Sequence, residues 1–595
     1  MSEHQPGRDL AARAAALRAH DPDFTASVPS PEVADAIRAC DGGLVATIEA
    51  AMRGYADRPA LARRAERVVR DAATGRSIRE LLPAFETVSY AELWRRVGRL
   101  ATAWADPAGA GLRPGDFVAT LGFTGVDYAV IDLACMYLGT VSVPLATGAP
   151  ATRLAPVVAE TGPRLLAADI GSLDAAVDTV LASDTVERLV VFDCDPRVDD
   201  HREALRAAAD KLDGRAAVAP LADELRRGAE LPCAAPHEGD PERLAGLIYT
   251  SGSTGTPKGA IYTAAMITRM WQKACGGMAA VDGIPVPTIV LHYMPMSHVN
   301  GRSWLVSALA SGGIGHFAAR GDLSTLFDDI RLSRPTVLSL VPRICDMVHQ
   351  RHLLESERRT RGGTARPEAE AAARDHVRDG MLGGRIMSAL CGSAPLSAAM
   401  HTFMGDVLGT KIVDCYGSTE TTRAVIVDQQ VRRPPILDYR LVDVPELGYF
   451  ATDKPHPGAS CGSGRPTWCP ATTGSPRSPP APSTRTATTA PATSSPRSSP
   501  TAWSTSTGST TSSSSPRASS SRSPNWRRST PPARPSPRST STAAASRRSC
   551  WRSSSPTGTG WGRPTTPPPA RPSSTRCANS PTAPACTPTR SHRTS

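Results

Sequence analysis

The sequence predicts an α/β protein built on parallel sheets covered by helices, giving way at Gly458 to a tail that cannot fold. Three observations carry this expectation. Short apolar runs bounded by turns alternate with amphipathic stretches from about residue 88 to residue 417, an order that leads to parallel strands with buried faces. One run opens into a loop of Ser, Thr and Gly that ends on a lysine, "LIYTSGSTGTPKGAIYT" at 247–263. The alphabet then changes at a single point: residues 458–595 contain no Leu, Ile, Val, Phe, Asp, Glu, Lys, Met, Tyr or Gln.

Taken in order, "LAARAAALRAH" and "PEVADAIRAC" alternate apolar and charged positions at helical spacing and predict a helical extension over 1–55. A large domain over 56–457 follows. In it "SYAELWRRVGRLATAWA" is an amphipathic helix, and "DFVATLGF", "VSVPLA", "RLLAAD" and "RLVVFD" have strand length. "GVDYAVIDLACMYLG" lies between the first two of these as a helix. The strand series resumes with "LAGLIYT", "PTIVLHYMP", "GIGHFAA", "TVLSLVP", "GRIMSALCG" and "KIVDCYG". Residues 352–376, "HLLESERRTRGGTARPEAEAAARDH", read as a charged surface excursion.

The formal net charge of +11 suggests a nucleic-acid partner, but the charge is not evenly spread. The tail holds 18 Arg and no acid, which leaves residues 1–457 at −7, so no specific nucleic-acid partner is expected. Eight of the 13 Cys precede the tail without CxxC or paired spacing, the usage of buried thiols in a reducing compartment. The start is charged, with no apolar core of a signal peptide, and no run approaches the roughly 18 apolar residues of a membrane span. A cytoplasmic location and no membrane span are the expectations.

The loop at 247–263 is the strongest chemical signal. Gly252 and Gly255 let backbone N–H groups close on phosphate oxygens, and Thr250, Ser251, Ser253 and Thr254 add hydroxyl donors. Lys258 supplies a point charge. It is not a Walker A loop, because Pro257 precedes the lysine and Gly259 follows it.

With its neighbours, this loop resembles the signature motif of the adenylate-forming (AMP-binding) superfamily, which includes acyl-CoA synthetases, luciferases and the adenylation domains of peptide synthetases and carboxylic acid reductases. The resemblance implies an acyl-adenylate-forming large N-terminal domain with parallel-sheet αβα subdomains, using ATP and Mg²⁺ on a small carboxylic acid. "HYMPMSHVNGR" (292–302) is similar to the segment that places a His or aromatic side chain at the acyl and phosphate site, here His298. "CGSAPLS" (391–397) resembles the loop along the adenine and acyl pocket and puts Ser393 near the nucleotide. In "DCYGSTE" (414–420) the resemblance implies that Tyr416 stacks on adenine while Asp414, Cys415 and Gly417 border it. Thr419 would meet phosphate, and Glu420 would hold Mg²⁺ with Thr250 as a further candidate ligand. Lys258, His298 and Glu420 are the implied catalytic residues. Bringing a carboxylate to the α-phosphate makes two anions approach, so a lysine, backbone dipoles and a hard cation suit the task.

The helical extension, "GAIYT", "MPMSHVNGR", "LVPRICDMV" and "ELGYFATDKPHP" look most like carboxylic acid reductases. In that family the adenylate passes to a phosphopantetheine thiol and is reduced by an NADPH domain; both cofactors are expected only for the intact enzyme. A medium- or long-chain fatty-acyl-CoA ligase and a non-catalytic nucleotide-binding remnant are the alternatives. The resemblance stops at Pro457, before the family's ribose-gripping Asp and small C-terminal subdomain, so weak or no activity is expected.

The tail reads as the next family segment one nucleotide out of register. Codons allowed for residues 484–494 read, in the shifted frame, Asp-Ala-Asp-Gly-Tyr-Tyr-Arg-Thr-Gly-Asp-Ile, which contains the family's aromatic–Thr–Gly–Asp motif in looser form. Residues 458–476 permit RGELRVRTADLVPGYYGQP, and residues 511–528 permit VLKLSQGEFVAVSELEA. As written, with no aliphatic side chain larger than Ala and five scattered Trp, residues 458–595 cannot bury enough surface to offset their ordering entropy, and disorder is expected.

Overall fold

The computed structural model describes residues 6–250, 257–277, 279–281, 284–422, 424–428, 430–433, 436–443, 445, 450, 452, 460–464 and 472–473. Three sheets organise them. In the largest, the parallel strands Val141–Leu145, Phe117–Leu121, Leu165–Asp169, Arg188–Phe192 and Ala217–Pro220 run from centre to edge. Leu244–Thr250 joins the other side in parallel through Ser142 and Gly246, and Lys258–Thr263 closes it antiparallel. A second sheet has the order Ile289–His292, Ile314–Phe317, Pro59–Arg70, Ser77–Ser89. The third sets Val337–Leu340, Ser388–Cys391 and Ile412–Gly417 side by side in parallel, then Ala424–Val427 and Gln430–Val431 antiparallel.

Apolar content explains why these strands form where they do. Val141–Leu145 is buried at every position, as expected of a strand covered on both faces. The helix Val126–Leu138 is likewise buried all round. The helix Tyr90–Ala105 begins on a Ser89 cap and turns Leu93, Val97, Leu100 and Trp104 inward at helical spacing. Its core also takes in Tyr55, Tyr128 and Trp271, all essentially inaccessible.

Helices at Pro6–His20, Pro22–Ala26, Pro31–Ala39 and Gly43–Gly54 make up the N-terminal region. They brace the third sheet. Arg385, buried just before Ser388–Cys391, donates to Asp21 at 2.9 Å, and Asp21 also caps the helix that follows it. Arg13 donates to the Leu408 carbonyl at 3.1 Å.

Two sequence expectations change. The charged stretch 352–376 is not an excursion but the end of one helix, Pro342–Arg361, and another, Arg366–Asp375. His352, Ser356, Ala369 and Ala373 are buried, so the charges form only the outer face. In the tail, Ser460–Gly464 pairs with Asp438–Val442, and Thr472–Thr473 pairs with Lys258–Thr263. Disorder is corrected for these two segments, because strand pairing uses backbone groups and needs no aliphatic side chain. The rest of 458–595 lies outside the described residues. Among the described residues no helix is long and apolar enough to cross a membrane.

Candidate active site

The site is built where sheet strands end. Leu244–Thr250 and Lys258–Thr263 form a hairpin whose last paired residues are Thr250 and Lys258, and the Thr250 hydroxyl donates to the Lys258 carbonyl at 3.4 Å. The hairpin thus fixes both ends of the glycine-rich loop, with Thr250 and Lys258 half-buried side by side. Ser251, Gly252, Ser253, Thr254 and Gly255 lie outside the described residues. The loop leaves the C-terminal end of a strand in a largely parallel sheet, the end at which open α/β sheets place ligands.

His298 is the residue before the helix Val299–Ala310, and its N–H donates to the Pro295 carbonyl at 3.0 Å. That tight turn depends on Gly301, where a Cβ would stand 2.4 Å from the Pro295 oxygen. The His298 side chain reaches solvent but is heavily surrounded by protein, and partial loss of hydration lowers its imidazole pKa. The neutral ring this favours can accept as well as donate a hydrogen bond.

In the third sheet, Cys391 pairs with Asp414 across the parallel strands. The next residues turn away, and Ser393, exposed, adopts a left-handed conformation at φ 71°. A non-glycine residue held there costs of order 1 kcal/mol and is typical of ligand-contacting turns. Alternation along Ile412–Gly417 puts Asp414 and Tyr416 on one face and Cys415 on the other. Burial pushes the Cys415 thiol up to about 11, which keeps it neutral and a poor nucleophile. Gly417 ends the strand, and a turn through Thr419 and Glu420 follows, with Thr419 buried and Glu420 half-buried.

Two contacts bring the separate motifs to that turn. Tyr262, on the hairpin with Lys258, donates its hydroxyl to the Thr419 carbonyl. Ser303, on the His298 helix, donates to the Thr422 carbonyl at 3.4 Å, and Thr422 is itself left-handed at φ 62°. Neither Tyr262 nor Ser303 was among the expected site residues. Tyr262 stands within the quoted "GAIYT", but its reach over 157 residues is a product of packing.

A third unexpected residue, Arg302, anchors the His298 helix from behind. It donates to Asp132 at 2.8 Å, to Ser142 at 3.0 Å and to the Met296 carbonyl at 3.0 Å, while Ser142 donates to Asp132 at 2.8 Å. The ion pair is almost wholly buried. Asp132→Ala is expected to cost about 3 kcal/mol by urea denaturation, because it leaves the guanidinium buried without its counter-charge. The double variant Asp132→Leu/Arg302→Met is expected to lose much less.

A family model for AMP-binding enzymes matches residues 48–464. The chain is 48% identical over 450 residues to the carboxylic acid reductase of Mycobacterium tuberculosis, covering 75% of this chain and 38% of that protein. The solved A domain of the carboxylic acid reductase from Segniliparus rugosus, in complex with AMP and a co-purified carboxylic acid, is 42% identical at a TM-score of 0.73. That match covers 79% of this chain and 74% of the solved one. Fatty acyl-CoA synthetase A of Dictyostelium discoideum is more distant, 28% identical over 416 residues, covering 64% of this chain and 59% of that protein. The chain thus spans less than two-fifths of the length of the curated reductase it matches. It belongs to the AMP-binding enzyme family, on the branch of the carboxylic acid reductase adenylation domains.

Proposed function

We propose that the folded part of this chain binds ATP and activates a small carboxylic acid as its acyl-adenylate, as the first step of a longer carboxylic acid reductase. In the reaction a carboxylate oxygen bonds to the α-phosphorus and the bond to pyrophosphate breaks. Lys258 and the glycine-rich loop with Thr250 offset the phosphate charge. Tyr416 and Asp414 hold the base, with Gly417 and Ser393 close to it, and His298 orients the acid. Thr419 meets phosphate.

Among the described residues no three His, Cys, Asp or Glu cluster into a metal cage. A single carboxylate, Glu420, suits Mg²⁺ that arrives with the nucleotide and keeps phosphate oxygens and water as its other ligands. Thr250 can add a hydroxyl. Bound there, Mg²⁺ would neutralise charge on the phosphates.

The convergence of three motifs on one turn carries this reading: Tyr262 to Thr419 from the lysine hairpin, and Ser303 to Thr422 from the His298 helix. Equilibrium dialysis of the full chain with radiolabelled ATP tests it. Wild type retains nucleotide, and Lys258→Met lowers affinity about tenfold through loss of a charge-assisted contact. No retention by wild type, or equal retention by the variant, removes the reading.

Phosphopantetheine and NADPH belong to the proposal for the longer enzyme. A fatty-acyl-CoA ligase origin is less supported, given 28% against 48% identity. The tail beyond Pro457 is proposed to be out of frame, which sequencing the gene across codon 457 decides. Cytoplasmic residence is proposed because the eight cysteines that precede residue 458 are all free.

A further inference from the structure

His401 was in no expected site, yet it reaches the base-binding strand. It lies on the helix Ala398–Leu408, whose first turn is capped by Ser397, with the Ser397 hydroxyl accepting from the Met400 N–H at 3.3 Å. Ser397 is also the last residue of the "CGSAPLS" segment that carries Ser393. One turn into the helix, His401 Nε2 stands 2.8 Å from Asp414 Oδ2. An ionised carboxylate only accepts, so the imidazole is the donor. The backbone of Asp414 is pinned separately: its N–H donates to Asp428 Oδ1 at 3.3 Å, and its carbonyl accepts from the Asp428 N–H at 2.8 Å. Main chain and one carboxylate oxygen are therefore both fixed. No donor to Asp414 Oδ1 is found among the described residues.

We propose that His401 is a positioning residue for purine recognition: its hydrogen bond orients the Asp414 carboxylate so that Oδ1 accepts from an exocyclic amine, selecting adenine over 6-oxo purines. This rests on the nucleotide reading above. The geometry supplies the reason. Asp414 shares a strand face with Tyr416, the residue proposed to stack on the base, so a carboxylate held in that plane meets the edge of the ring. An acceptor there pairs with the amine of adenine and opposes the carbonyl of hypoxanthine, which leaves two acceptors facing each other. An unrestrained Asp414, half-exposed to solvent, would turn to water and lose that discrimination. His401 also ties the Ser393 loop to the Asp414 strand, since its helix begins where that loop ends.

Dissociation constants for ATP and inosine triphosphate, measured by equilibrium dialysis on the full chain, test this. Wild type prefers ATP. In His401→Phe the affinity for ATP falls about tenfold while that for inosine triphosphate stays nearly constant, so the preference collapses. His401→Gln, whose amide can donate to Asp414, keeps most of the preference. An unchanged ATP-to-inosine-triphosphate ratio in His401→Phe overturns the proposal. So does a proportional loss of both nucleotides, which marks a merely structural role. A wild-type chain that retains neither nucleotide overturns the nucleotide reading and this inference together.

Discussion

Inserting one nucleotide ahead of codon 458 is expected to raise acid-dependent ATP–pyrophosphate exchange by at least about 100-fold, the size of effect seen when one electrostatic contact to a transition state is gained or lost. If the tail is out of frame as proposed, several such contacts return together. The resemblance assigns ribose binding to the Asp of the aromatic–Thr–Gly–Asp motif and places a lysine on the small subdomain beyond it. The structure adds a reason independent of the motif. Of the tail, the two described segments are strands, Ser460–Gly464 beside Asp438–Val442 and Thr472–Thr473 beside Lys258–Thr263. If the tail is out of frame as proposed, the codons allowed for these segments permit Glu-Leu-Arg-Val-Arg and Tyr-Tyr, with strand-forming side chains in place of Ser, Cys, Gly and Thr. The strand Lys258–Thr263 begins on the lysine proposed to offset phosphate charge, so a firmer partner strand would also steady Lys258. Exchange is measured on both proteins with a panel of aromatic and aliphatic acids. Equal rates would show that the tail was never displaced family sequence.

The parallel strands were legible because burial on both faces forces continuous apolar runs such as "VSVPLA" and "RLVVF", and local pattern alone identifies those. The long hairpin Pro59–Arg70 and Ser77–Ser89 carries no such signal. Its sequence, "ALARRAERVVR", interleaves arginines with apolar residues, and one face of the arm meets solvent. Its inner end pairs in parallel with Ile314–Phe317, Leu61 opposite Gly315, across some 250 residues of sequence, and no local pattern encodes that. The site divides in the same way. Lys258, His298, Asp414 and Tyr416 stand in short motifs whose chemistry is local. Tyr262, Arg302, Ser303 and His401 each reach a partner on another element, 13 to 170 residues away, and that reach exists only once the sheets are packed.

Acid is expected to unfold this protein through two histidines. His292 and His316 sit on adjacent parallel strands, Ile289–His292 and Ile314–Phe317, and both are buried. Loss of hydration lowers each imidazole to about 3, and for His316 the positive Arg385 and the neighbouring His292 push the same way. Their surroundings give little help to a proton: His316 lies edge-on to Phe85 at 4.8 Å, His292 packs on Phe317 at 5.1 Å, and one nitrogen of each ring has no partner among the described residues. Both must stay neutral to remain folded. Above pH 6.5, where the unfolded chain's histidines are also neutral, the full stability is present; it is lost as pH falls toward 3, because only the unfolded state takes up the protons. At pH 5 the loss is about 2 kcal/mol for each histidine, and at pH 4 the two together approach the whole stability of an ordinary domain. Urea midpoints between pH 7 and pH 4 give the measurement. In His292→Leu/His316→Met the fall should be much shallower. A slope equal to that of wild type would assign the acid limb to carboxylates instead.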